Sequence, residues 1–173
     1  IHLIEDRDNR QFFLNLWYYE VHTPIQAKPR KVEKYIQKVH DQHLDELLTF
    51  QEGDFFPCEH KKDQHIVRRL VQSDANYAAM IETVDENVGR LLDVLERQGI
   101  AWNTLVIFTS DNGGLATSEG SPTCNAPLSE GKGWMYEGGT REPLLIRWPG
   151  ATRPGFVCQT PVTSPDFYPT LLE

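Results

Sequence analysis

No run of about 18 apolar residues occurs in the 173-residue chain, so nothing in the sequence reads as a membrane-spanning helix. Positive charge is short as well: 17 Lys and Arg stand against 25 Asp and Glu, for a net charge of -8. A nucleic-acid partner needs a basic face for its phosphates, and that class is set aside. Cys58, Cys124 and Cys158 are too few for a disulfide scaffold and lack the close pairing of a zinc site. One disulfide with a spare thiol and three reduced thiols both fit them. The chain opens at Ile1 with neither an initiator Met nor a charged-then-apolar leader, which reads as a processed chain or a fragment.

What is present is enough for one core and too little for two ordinary domains, at 39% hydrophobic residues. The chain is organised around the stretch from Thr104 to Gly150. Leu105 to Phe108 form a short apolar run, as expected of a strand buried on both faces of a parallel sheet. It stops at Ser110-Asp111-Asn112-Gly113-Gly114, and the carboxyl end of such a strand is where an open α/β sheet places its ligand site. Asp111 and Asn112 are therefore candidate ligands for a hard cation such as calcium or magnesium, with glycines that let the backbone turn tightly around it. The same four residues are also an ordinary turn composition, and the chemistry alone leaves both readings open. Downstream, Gly131-Lys132-Gly133 sets a cation between two glycines. Glu137-Gly138-Gly139-Thr140-Arg141-Glu142-Pro143 then leads into a second strand, Leu144 to Trp148, closed by Pro149-Gly150.

Taken in order, Phe12 to Tyr19 is β-prone and nearly all apolar, and reads as a buried strand. It ends at Glu20-Val21-His22-Thr23-Pro24, where proline blocks a continued ladder. A histidine at such a strand's mouth serves either as a structural hydrogen-bonding group or as a proton donor. From Lys31 to Phe50 the apolar residues recur at helical spacing amid charges, as in surface helices. His40 and His43, three apart, read as part of a solvated face. Gln51 to Asp63 reads as a loop. Apolar positions from Val67 to Leu95 trace the best helix in the chain, stopped by Gln98-Gly99. Ala151 to Gln159 is turn-rich. Ser164-Pro165-Asp166 reads as a helix start with Ser164 as the cap.

The block from Thr104 to Gly150 resembles the type I sulfatases of the alkaline phosphatase superfamily. Their pattern is an apolar strand, Ser-Asp-Asn-Gly, a variable loop, Gly-Lys-Gly, aromatic residues, Glu-Gly-Gly, Arg, Pro, a strand and Trp-Pro-Gly. The helix tail Val84 to Leu92, the His22-Thr23-Pro24 turn and the segment Val162 to Leu172 extend the resemblance from about Phe12 to the end. It implies a mainly parallel α/β sheet with flanking helices and an enzyme that hydrolyses sulfate esters of sugars or aryl alcohols. It also implies that Asp111 and Asn112 bind calcium, with magnesium as the second fit. Lys132 would contact the sulfate and the oxygen of a formylglycine nucleophile, and His22 would hold the ester oxygen and assist its departure.

That nucleophile comes from a Cys or Ser in the pattern Cys/Ser-x-Pro-x-Arg, which no residue here satisfies. Cys58 is followed by His60 where proline should stand, Cys124 by Ala126 and Cys158 by Thr160. The family's N-terminal metal-binding aspartates are not matched either. The chain accordingly reads as the second half of a catalytic domain, inactive alone and prone to self-associate through uncovered sheet edges. Family analogy places the enzyme in the periplasm or outside the cell. The rival readings are a phosphodiesterase or phosphonate hydrolase of the same superfamily and a catalytically dead binding module.

Overall fold

A computed structural model describes residues 1–172. A short helix, α1 (His2–Glu5), precedes a long irregular segment, and α2 (Pro29–Asp41) follows. Proline in its first turn costs α2 no hydrogen bond, because the first N–H groups of a helix have no intrahelical partner. A 3₁₀ turn, Leu44–Glu46, leads into a hairpin of β1 (Phe50–Phe55) and β2 (His65–Arg69). The pair is antiparallel, with Phe50 opposite Arg69 and a register shift between Glu52 and Phe55.

The longest element is α3 (Ala75–Arg97). It starts where the Asp74 carboxylate accepts from the Tyr77 N–H at 2.9 Å, satisfying one of the donors a helix start leaves open. It ends at Gln98 and Gly99, whose φ of +64° suits glycine best. Helix α2 lies along α3, tied by Lys31 to Glu86 at 2.6 Å and Lys34 to Glu82 at 3.0 Å. The far end of α3 carries the main core: Val94 and Leu95 pack with Ile4 and Ala101, and Leu91, Leu92, Ile100 and Val106 close around them. Two further strands, β3 (Val106–Thr109) and β4 (Leu144–Arg147), pair antiparallel with Ile107 opposite Ile146. Between them in sequence lies the site segment, which contains the short helix α4 (Glu137–Thr140). The last element is α5 (Ser164–Leu172).

Several expectations need correction. The Phe12 to Tyr19 segment is not a strand: it carries no regular structure, with Phe13 82% and Trp17 90% exposed, because no described strand lies beside it to share a ladder. The expected loop from Gln51 contains β1, and the expected helix start at Val67 belongs to β2. Glu52, Gly53 and Asp54 are poor strand formers, yet cross-strand pairing with the His65–Arg69 run carries them. Both sheets among the described residues are antiparallel pairs, so the expected parallel pairing is not found within them. Helix α5 begins at Ser164, so the cap is Thr163; Asp166 reaches back to the Thr163 N–H at 2.7 Å and its hydroxyl at 2.9 Å. The expected solvated face holds for His40 and His43: α2 ends at Asp41, His43 turns left-handed, and the two pair separately with exposed Asp45 and Glu46. Cys58, Cys124 and Cys158 are free thiols.

Candidate active site

The site segment is held by close backbone packing among its three glycine-rich stretches. Gly113 sits at φ +86°, and a Cβ there would run into the Gly138 carbonyl. A Cβ on Gly131 would strike the Gly114 carbonyl. Only glycine lets these backbones approach so closely. The same Gly114 carbonyl accepts from the Lys132 N–H at 3.0 Å, which fixes Lys132 to the loop after β3. Gly138 N–H donates to the Ser129 carbonyl at 2.8 Å.

One side chain threads the assembly. The Asn125 amide donates to the Gly114 carbonyl at 3.1 Å and the Glu130 carbonyl at 2.9 Å, with the Gly138 carbonyl at 3.4 Å. Arg68 forms a fork with the Glu130 carboxylate, its shortest contact being 2.6 Å. Arg69 is buried, donates to the Ser121 carbonyl at 2.6 Å and lies 3.6 Å from Asp74. Burial pushes its guanidinium below the ordinary arginine value, with Asp74 opposing the shift. Trp134 Nε1–H donates to the Thr117 hydroxyl at 2.9 Å.

Against this frame the structure brings together two residues predicted from sequence. Lys132 Nζ lies 3.0 Å from His22 Nε2. His22 Nδ1 lies 3.1 Å from the Thr23 carbonyl. A carbonyl accepts only, so the hydrogen belongs on Nδ1 and Nε2 is left with the lone pair that accepts from the Lys132 ammonium. The Tyr19 hydroxyl donates to the same Thr23 carbonyl at 3.0 Å, and its ring stands 6.1 Å from the imidazole, centroid to centroid. The Thr23 hydroxyl reaches across to Glu119 Oε2 at 2.8 Å.

Asp111 and Asn112 fall on the exposed turn directly after β3. Their donors are carboxylate and amide oxygens, which suit a hard cation. Among the described residues no group of three or more His, Cys, Asp or Glu is placed to hold a metal ion. Sequence reasoning did not single out Asn125, Arg69, Glu119 or Thr23. Thr23 was visible within His22-Thr23-Pro24; the other three carry no local signal, because their partners are distant in sequence.

A family model described as Sulfatase matches residues 1–173. The chain belongs to the sulfatase family. Among similar curated proteins, a sulfatase of Formosa agariphila is 47% identical over 110 residues, covering 58% of this chain and 19% of that protein. Arylsulfatase J of Mus musculus is 32% identical over 164 residues, 95% of this chain and 22% of that protein. N-acetylgalactosamine-6-sulfatase of Mus musculus is 37% identical over 98 residues, 56% of this chain and 19% of that protein. A crystal structure of Ps i-CgsB in complex with k-i-k-neocarrahexaose superposes with a TM-score of 0.58 at 32% identity, over 86% of this chain and 26% of that one. This sulfatase chain thus spans about a fifth of the length of the curated relatives it matches. Family and structural neighbour together imply the alkaline phosphatase-like α/β fold. Among the described residues, no helix is long and apolar enough to cross a membrane.

Proposed function

We propose that these residues form the second half of a sulfatase catalytic domain and carry part of the sulfate-ester site of an enzyme that hydrolyses such esters. The observation that carries the reading is the contact of Lys132 Nζ with His22 Nε2, at the edge of the packed Gly113, Gly131 and Gly138 backbones. Cleaving a sulfate ester builds negative charge on the departing oxygen. A Lys132 ammonium meets that charge directly; with Lys132 drawn to the sulfate, His22 Nε2 takes a proton from solvent, and the ring, then protonated at both nitrogens, passes that proton to the leaving oxygen. The hydrogen on Nδ1 stays with the Thr23 carbonyl and keeps the ring's outer nitrogen facing the cluster.

Asp111 and Asn112 would supply two oxygen ligands to a calcium ion, magnesium being the second fit by donor type. Bound there, the cation would add positive charge beside the sulfate. Formylglycine, the family's nucleophile, would come from residues outside this chain, since no Cys or Ser here has the required pattern. The mainly parallel sheet is proposed for the whole domain, supported by the family and by the superposition on Ps i-CgsB. Export to the periplasm or the cell exterior is proposed on family analogy.

Sulfated sugars are the proposed substrates. Supporting this are the neocarrahexaose in the similar structure and the amino-sugar sulfate in the name of one relative. The test is product analysis on the complete enzyme with sulfated oligosaccharides, an aryl sulfate and a phosphodiester. Release of sulfate, fastest from the sugars, supports the reading. Hydrolysis of the phosphodiester alone would favour the phosphodiesterase alternative, which the sulfatase relatives do not support. No turnover of any substrate would favour a dead scaffold.

A further inference from the structure

Glu119 projects from the loop between Thr117 and Cys124, a segment of no assigned role that is pinned from several sides. Thr117, Ser121 and Thr123 are buried. The Ser121 hydroxyl donates to the Val67 carbonyl at 2.9 Å, Arg69 grips the Ser121 carbonyl, and the Cys124 N–H donates to Gln72 Oε1 at 3.1 Å. At the tip, Glu119 takes φ +54° and Gly120 φ +88°. A left-handed glutamate is uncommon, and here the anchored flanks on either side hold it. Its carboxylate thereby meets the Thr23 hydroxyl at 2.8 Å, across 96 residues of sequence.

The Thr23 hydroxyl lies near two groups, Glu119 Oε2 at 2.8 Å and His22 Nδ1 at 3.4 Å, and has one hydrogen to give. A carboxylate accepts only, so the hydrogen goes to Glu119. Nδ1 then faces acceptors alone: the Thr23 hydroxyl oxygen and the Thr23 carbonyl, itself already shared with the Tyr19 hydroxyl. Only the Nδ1–H tautomer suits that setting, and only that tautomer lets Nε2 accept from Lys132.

We propose that Glu119 is a positioning residue that reinforces the Nδ1–H tautomer of His22, alongside the Thr23 carbonyl, by keeping the hydrogen of the Thr23 hydroxyl away from Nδ1. The inference rests on the reading of His22 and Lys132 as the sulfate-ester cluster, but its test does not involve turnover. Without Glu119, the Thr23 hydroxyl is free to donate to Nδ1. The Nε2–H tautomer then competes, and in that form Nε2 cannot accept from Lys132.

The experiment is long-range nitrogen NMR of the His22 ring in the complete enzyme with labelled histidine, at an alkaline pH where an ordinary imidazole is neutral. His22→Ala supplies the assignment. In the unmodified chain the two ring nitrogens should show the wide separation of a single Nδ1–H tautomer. Glu119→Ala should draw the two shifts toward each other, whereas Glu119→Gln, whose amide oxygen still accepts from Thr23, should restore the original separation. Thr23→Val removes the hydroxyl, and on that background Glu119→Ala should change nothing. Identical ring shifts with and without Glu119, or an equal effect in the Thr23→Val background, would overturn the proposal. An enzyme that proves not to be a sulfatase would leave the tautomer result standing, which separates the two failures.

Discussion

Lys132 and His22 are 110 residues apart in sequence, and Nζ of one lies 3.0 Å from Nε2 of the other. Two scaffolds make this possible. The first is the backbone cluster that ties the Lys132 N–H to the Gly114 carbonyl, and the second is the turn at Thr23 that orients the imidazole from its far side. Neither residue is deeply buried, so the contact remains open to a substrate.

The Asn125 amide holds the first scaffold together, and its loss should be felt as stability. Asn125→Ala leaves the partly buried Glu130 carbonyl without its donor and removes one of the donors to the Gly114 carbonyl, which should cost about 2 kcal/mol. Denaturant unfolding gives the number. A change within a few tenths of a kcal/mol would mean that water replaces the amide at no cost.

Calcium should bind the 173-residue chain weakly. The ion prefers about six to eight oxygens, and Asp111 with Asn112 would supply only some of them. Titration calorimetry reads this directly. A micromolar site abolished by Asp111→Ala would reveal ligands in this chain beyond the two identified.

Acid should loosen the last helix before it unfolds the core. The Thr163 N–H and hydroxyl hold the Asp166 carboxyl below the usual carboxylate range. A depressed folded-state value means that the cap stabilises α5 above the unfolded value, near 3.9, and that this contribution is lost as pH falls through the lower, folded value. Amide exchange in α5 should rise across that window ahead of α3. Thr163→Ala, which keeps the backbone N–H but removes the hydroxyl, should move the transition toward higher pH.

The proposed site was legible in the sequence to the extent that its residues lie in contiguous motifs. His22, Asp111, Asn112 and Lys132 stand out by type and by their glycine neighbours, and α2 and α3 follow from their apolar spacing. What could not be read depends on distant partners. Phe50–Phe55 contains Glu, Gly and Asp and becomes a strand only because His65–Arg69 lies opposite. Phe12 to Tyr19 has every local mark of a strand and lacks a neighbour. Asn125, Arg69 and Glu119 act through backbone carbonyls or a hydroxyl far along the chain, which no local pattern announces.

The apolar surface left by that unpaired segment should make the chain self-associate. Phe13 and Trp17 are almost fully exposed, and Leu145 of β4 is 63% exposed. Light scattering should show oligomers growing with concentration. A monomer at high micromolar concentration that binds no hydrophobic dye would show that these residues need no cover.

The central claim, that His22 and Lys132 act together on the sulfate ester, is tested most directly by a double-mutant cycle on turnover of a sulfated sugar by the complete enzyme. His22→Ala and Lys132→Ala should each lower kcat about 100-fold or more with the fold intact. The double variant should lose little beyond the worse single one, as expected of groups acting as a unit. Near-normal kcat in either single variant, or losses that simply multiply, would contradict the account.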